Sequence, residues 1–245
     1  MHSTVSHGMS LGREALHRNM PSHDGHMNVL LTDDHALFRE GVALLLQPLI
    51  DGGQTWQAGT CDEALALLDE HGAADLALMD LAMPGTPGLQ GIALLRERWP
   101  QMPVVALSSA DDRDTVLKAI DAGAMGFVPK SSSSAVLMAA LRLILARGIY
   151  LPPTAFLGTA ADGPPARDTS STPPRAPSPS DLGLSPRQTD VLHLILQGKS
   201  AKLIERELNL SASTVKAHTS AVLRSLNVTT RTQAVVAASR LGLRF

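Results

Sequence analysis

Aromatic side chains make up only 3% of the 245 residues, and there is a single cysteine, Cys61. The scarcity of rings means any core must be built from Leu, Val, Ile, Ala and Met. One thiol excludes an internal disulfide framework and a zinc site of the Cys-x-x-Cys type. Long apolar runs are also missing: the stretch from Ala135 to Leu141 is cut by Arg142, far short of the ~18–20 residues a membrane helix needs. The first 26 residues hold no apolar segment of the kind that marks secretion. With 44% hydrophobic and 18% charged residues, wholesale disorder is excluded, and the length suits two domains. The expectation is a cytoplasmic chain with no membrane partner.

The net charge of −2 conceals a division along the chain. Residues 28–155 carry 8 basic against 15 acidic side chains, whereas residues 181–245 carry 9 basic against 4 acidic. An acidic first part suits a cation or a basic partner, and a basic second part suits a polyanion.

Eight of the sixteen prolines fall within residues 151–180, among Ser, Thr, Gly and Ala. Proline removes an amide donor and fixes φ, so this stretch holds neither a helix interior nor a central strand. Residues 151–181 therefore read as a flexible linker that tethers the two parts loosely. Residues 1–26 carry five of the nine histidines without periodicity and read as a disordered extension, or as the product of a start codon placed upstream of Met20 or Met27.

From Asn28 onward, short apolar runs alternate with segments of helical spacing. The runs are Val29–Thr32, Thr55–Gly59, Leu76–Met79, Pro103–Leu107 and Gly126–Val128. Between them lie Leu37–Leu46, Glu63–Leu68, Ile92–Trp99, Val116–Ala122 and Val136–Ala146. Runs this short and this continuously apolar fit parallel strands buried on both faces. Five such alternations predict an α/β fold with a five-stranded doubly wound parallel sheet over residues 27–150. In that architecture the functional crevice lies beyond the carboxyl ends of the strands.

Polar groups suited to a single chemistry stand at those ends. Strand 1 leads into Asp33 and Asp34, strand 3 into Asp80, strand 4 into Ser108 and strand 5 into Lys130. Three carboxylates in one crevice repel one another unless a cation is present. A hard divalent ion with oxygen ligands, Mg²⁺ above all, relieves that repulsion and leaves positions for phosphoryl oxygens. One carboxylate is then free to act as a nucleophile toward phosphorus.

The segments Val-Leu-Leu-Thr-Asp33-Asp34-His35, Leu-Met-Asp80-Leu-Ala-Met-Pro84-Gly, Val-Val-Ala-Leu-Ser108 and Ala-Gly-Ala-Met-Gly-Phe127-Val-Pro-Lys130 resemble the receiver domain of two-component response regulators. The resemblance covers about residues 28–148, with four motifs in order. It implies that Asp80 accepts a phosphoryl group from a sensor histidine kinase. By the same resemblance, Asp33, Asp34, Asp80 and the Ala82 backbone carbonyl bind Mg²⁺, while Ser108 and Lys130 sense the phosphoryl oxygens. Phe127 would be the rotating aromatic; it stands where the family often has Tyr, so it brings no hydroxyl.

After Leu184 the pattern turns helical. Ser185-Pro186 supplies an N-cap and a first-turn proline, Ser200 and Ser211 cap two further helices, and Thr230 opens a fourth. In the fourth, Ala234, Val235 and Ala238 are expected to face inward. The second and third helices form a helix-turn-helix whose third helix would enter the major groove. Leu-Ser-Pro-Arg187-Gln188, Gly-Lys199-Ser-Ala-Lys202, Ser213-Thr214-Val215-Lys216-Ala217-His218 and Arg231-Thr-Gln-Ala-Val resemble the LuxR-type DNA-binding domain, over residues 182–245. Together the two resemblances describe the NarL/FixJ class: a DNA-binding transcriptional regulator, not an enzyme, that dimerises on phosphorylation and binds double-stranded promoter DNA. Thr214, Lys216, Ala217, His218 and Ser220 are the expected groove-side residues, and Lys199, Lys202 and Arg231 the expected phosphate contacts.

Two positions depart from the family pattern: Ala201, where Asn is common, and Ser225, where a basic residue is common. The recognition helix is left with Lys216, His218 and Arg224 as cations, which predicts weak binding by a monomer and dependence on paired half-sites. Two other functions are weaker on the same residues. A phosphorylation-independent dimerisation platform leaves the acid cluster and Lys130 without a purpose. A phosphatase working through an aspartyl phosphate leaves the basic helical module unexplained.

Overall fold

A computed structural model describes residues 26–156, 181–241 and 243. Residues 1–25 of the expected 1–26 tail and most of the expected linker, residues 157–180, lie outside the described residues.

Five strands, β1 (Val29–Thr32), β2 (Thr55–Ala58), β3 (Leu76–Asp80), β4 (Val104–Ser108) and β5 (Gly126–Pro129), pair in the order β2-β1-β3-β4-β5, all parallel. The helices between and after them are α1 (Ala36–Ile50), α2 (Cys61–His71), α3 (Gly88–Arg98), α4 (Arg113–Asp121) and α5 (Ser134–Leu145). Alternate strand residues serve the two faces. Leu30, Ala77, Met79, Val104, Ala106 and Phe127 pack with Leu68, Ile92, Leu95 and Ile120 of α2, α3 and α4. Val29, Leu31, Leu78, Val105, Leu107 and Val128 pack with Val42, Leu46, Leu141 and Ile144 of α1 and α5. Burial on both faces is why the strands read as unbroken apolar runs. α1 runs four residues past its expected end, through Pro48, because Ile50 is buried and holds the last turn against the sheet.

The second unit has α6 (Pro186–Leu196), α7 (Ala201–Leu208), α8 (Ala212–Ser225) and α9 (Arg231–Arg240). Ser185 with Gln188 and Thr230 with Gln233 form reciprocal capping boxes, and Ser200 and Ser211 cap α7 and α8. Asn209 ends α7 in the left-handed region at φ 51°, the tight turn that sets α8 across α7. Val191, Ile195, Ile204 and Val215 make the core between α6, α7 and α8. Ser225, the position without its expected cation, donates its hydroxyl to the Leu182 carbonyl and fastens the end of α8 to the start of the module.

Two expectations change here. The segment after Tyr150 is not yet linker: Tyr150 bridges to Gly126, and Pro153–Phe156 form a 3-10 turn on α4 with Ala155 buried in the sheet's core cluster. Two prolines do not prevent docking, because such a turn needs few amide donors. In α9 the buried residues are Thr232, Ala234, Val236 and Ala238. Val235 is only partly buried on the module's own core, while Val236 packs into the core cluster of the α/β unit.

α3 starts so close to β3 that a Cβ on Gly88 would lie 2.2 Å from the Asp80 carbonyl oxygen and 2.5 Å from the Leu81 Cα, both backbone atoms. Gly41, inside α1, has open space around that position. Gly88→Ala is expected to cost about 1–3 kcal/mol, and Gly41→Ala to add about 0.5–1 kcal/mol. Urea denaturation midpoints of the two variants, moving in opposite directions, check this.

Candidate functional site

The switch in connection direction at β1 and β3 opens a crevice at the carboxyl edge of the sheet. Asp33 and Asp80 line it with side chains fully buried, and Asp34 is 30% exposed beside them. The Lys130 ammonium, carried past the end of β5, sits 2.7 Å from Asp33 Oδ2 and 2.7 Å from Asp80 Oδ2. The other Asp80 oxygen, Oδ1, accepts the Ala82 backbone N–H at 3.1 Å. Burial alone would lower the lysine's pKa, but its bonds to Asp33 and Asp80 and their charges outweigh that and raise it above the ordinary value. The ammonium also lies 4.8 Å from the centre of the Phe38 ring, against its face.

Three carboxylates against one ammonium leave the pocket negative. Donor atoms of Asp33, Asp34, His35 and Asp80 all lie within 4.8 Å of one another. Carboxylate oxygens gathered this closely, and short of two positive charges, fit a hard divalent cation. His35 was not singled out from the sequence. Its backbone N–H donates to Asp33 Oδ1 at 2.9 Å, and its Nδ1 lies 2.8 Å from Asp34 Oδ1. The string Asp33-Asp34-His35 was the available signal, but spacing does not reveal a side chain that folds back over the strand end.

Ser108 is buried at the end of β4. Its hydroxyl accepts the Ala110 N–H at 3.1 Å, and its carbonyl accepts the Lys130 N–H at 2.7 Å, so the β4 and β5 loops are tied together. Phe127 has no exposed surface; its ring lies inward among the residues that also hold Val116 and Ile120 of α4.

In the helical unit, Lys216, Ala217 and Ser220 are exposed on α8, with Thr214 and His218 half-buried. Thr214 is engaged in the helix cap through Ser211 Oγ at 2.8 Å. Lys202 is exposed on α7, and Lys199 pairs with Glu207 at 2.7 Å. Arg231 lies elsewhere: its guanidinium donates to the Arg147 carbonyl at 2.9 Å and the Lys199 carbonyl at 2.6 Å, in the seam between the two units. Arg206 of α7 is a further exposed cation on this surface, one that sequence reasoning missed.

Among the described residues no helix is long and apolar enough to cross a membrane. Two family models match in sequence order: the response regulator receiver domain over residues 29–142, and the bacterial regulatory proteins of the luxR family over residues 182–238. The glycerol metabolism activator of Pseudomonas putida is 39% identical over 210 residues, 86% of this chain and 94% of that protein. The nitrate/nitrite response regulator NarL of Escherichia coli K12 is 31% identical over 209 residues, 85% of this chain and 93% of its own length. Among solved structures, the RcsB response regulator of Salmonella typhimurium shares the fold at 19% identity, with a TM-score of 0.51 over 88% of this chain and 99% of that one. The chain therefore belongs to the two-component response regulators that join a receiver domain to a luxR-family helix-turn-helix, and it is a DNA-binding transcriptional regulator.

Proposed function

We propose that Asp80 accepts a phosphoryl group from a sensor histidine kinase, and that the phosphorylated chain dimerises and binds promoter DNA through α8. The observation that carries this reading is the Lys130 ammonium bridging Asp33 and Asp80 at the carboxyl edge of the sheet. A carboxylate of Asp80 attacks the phosphorus of a phosphohistidine; the new P–O bond forms as the P–N bond breaks and the imidazole leaves. Asp33, Asp34, Asp80 and the Ala82 carbonyl would hold Mg²⁺, which supplies charge neutralisation for the incoming phosphoryl oxygens.

The added group brings about −1.5 to −2 charges and three acceptors. Lys130, held charged by its neighbours, turns from the Asp80 carboxylate to the phosphoryl oxygens. The Ser108 hydroxyl accepts the Ala110 N–H and keeps its own proton to donate, so following the phosphoryl oxygens draws on the loop that leads into α4. Phe127 already lies inward against α4, so it supports the switched packing without a hydroxyl of its own. The functional units on this reading are the receiver, extended to Phe156, and the DNA-binding module from about residue 182, in a cytoplasmic protein that turns over no separate substrate.

Asp80→Asn keeps the shape of the site and removes the nucleophile. With Mg²⁺ and a small phosphodonor, wild type is expected to double its mass in light scattering and to tighten on promoter DNA, while the variant does neither. Equal behaviour of the two proteins would leave DNA binding standing and remove Asp80 as the switch.

Lys216→Ala and Lys202→Ala separate reading from positioning. The first is expected to cost about 1–3 kcal/mol on the preferred sequence. The second is expected to weaken all sequences alike and to reduce the salt slope by about 1. Competition titrations with specific and mixed duplexes, repeated across salt concentration, check both.

A further inference from the structure

α9 is bound to the receiver by contacts of several kinds. Thr232 donates its hydroxyl to the Met125 carbonyl at 2.7 Å, at the threshold of β5. Gln233 donates to the Ile120 and Asp121 carbonyls at 3.0 and 3.2 Å, while its Oε1 accepts the Thr229 and Thr230 amides. That one side chain therefore caps the start of α9 and bonds to carbonyls at the end of α4. Arg240 meets both carboxylate oxygens of Asp121 at 3.0 and 3.3 Å. Val236 lies in the receiver's core cluster, and Ile149 of the receiver packs against the module's core. Arg231 closes the seam on the Arg147 and Lys199 carbonyls, where burial and the nearby Arg147 charge lower its pKa to about 10.

The seam does not cover α8: Lys216, Ala217 and Ser220 face solvent. What it removes is positive charge, since Arg231 is spent on carbonyls and Arg240 on a carboxylate, beside a receiver that carries the acidic excess of the chain. We propose that the α4–α9 seam is a charge-withholding closed state, in which Arg231 serves either as the clamp between the domains or as a DNA phosphate contact, and never as both at once. The inference rests on the DNA-binding reading above. It places the control of affinity in the number of phosphates neutralised, with the recognition helix available throughout. α4 is placed to transmit the change, because the loop from Ser108 feeds its first turn and its last residues hold Gln233 and Arg240.

The test uses the full chain, dyes on the two domains for energy transfer, and a mixed-sequence duplex, because phosphate contacts do not depend on sequence. Asp121→Arg sets two cations against each other across the seam. It is expected to lower transfer, to tighten duplex binding and to steepen the salt slope by about 0.9 per protomer, a further loss of about threefold in affinity between roughly 50 and 200 mM salt. Adding Arg231→Ala is expected to abolish the gain in slope while the domains stay open. The charge swap, Asp121→Arg with Arg240→Asp, is expected to restore the wild-type transfer and slope. Unchanged transfer in Asp121→Arg, or open domains with an unchanged slope in a protein that still binds the duplex, overturns the seam proposal alone. If wild type and every variant fail to bind the duplex at low salt, the DNA-binding reading falls and takes this proposal with it.

Discussion

Two carboxylates buried without exposed surface share one ammonium, and the rest of the receiver is arranged around that fact. A buried lone charge costs several kcal/mol. Lys130 partners both from a third strand end. The sheet order brings β1 and β3 together as neighbours, while β5 reaches them by way of β4 through the bond from the Lys130 amide to the Ser108 carbonyl. The same arrangement leaves the site one cation short, with Asp34 and His35 at its rim. On the proposed function, a pocket built with a surplus of negative charge, and with its ammonium already shared, would rearrange when a phosphoryl group arrives.

That rearrangement has a material path. Ser108 sits between the site and the loop into α4, Phe127 packs against α4 from beneath, and α4 ends where α9 is attached. Chemistry at one end of the helix and domain contact at the other are thereby joined by a single rigid element of nine residues. The helix-turn-helix needs no remodelling of its own. Its caps at Ser200, Ser211 and Thr230 are complete, and α8 leaves Lys216, Ala217 and Ser220 exposed with the domains docked.

Much of this was legible in the residues. Parallel strands buried on both faces leave unbroken apolar runs, and every strand lay within a residue of its expected limits at each end. Strand ends are where chain direction puts the acids and the lysine, so the cluster followed from order alone. What escaped notice has a common cause. Thr232 and Gln233 bond to backbone carbonyls, which every residue possesses, so nothing in the sequence marks their partners. Val235 and Val236 are equivalent by composition, and only the docked receiver decides which is buried more deeply. The prolines after Tyr150 suggested a free tether, yet Ala155 fills a place on α4 that no periodicity announces. Ser225 looked like a missing phosphate contact, whereas its hydroxyl ties α8 to Leu182.

The central claim is that the buried carboxylate bonded to Lys130 and to the Ala82 amide is the nucleophile toward phosphorus. An acyl phosphate is reduced by borohydride to an alcohol, which would convert the phosphorylated aspartate to homoserine. The direct measurement is to treat the full chain with Mg²⁺ and a small phosphodonor, reduce it, and locate the changed residue by peptide mass spectrometry. The account predicts homoserine at position 80 and at none of the other strand-end acids. Homoserine at Asp33 or Asp34 in its place, or no reduction product from a protein that has taken up phosphate, would contradict it.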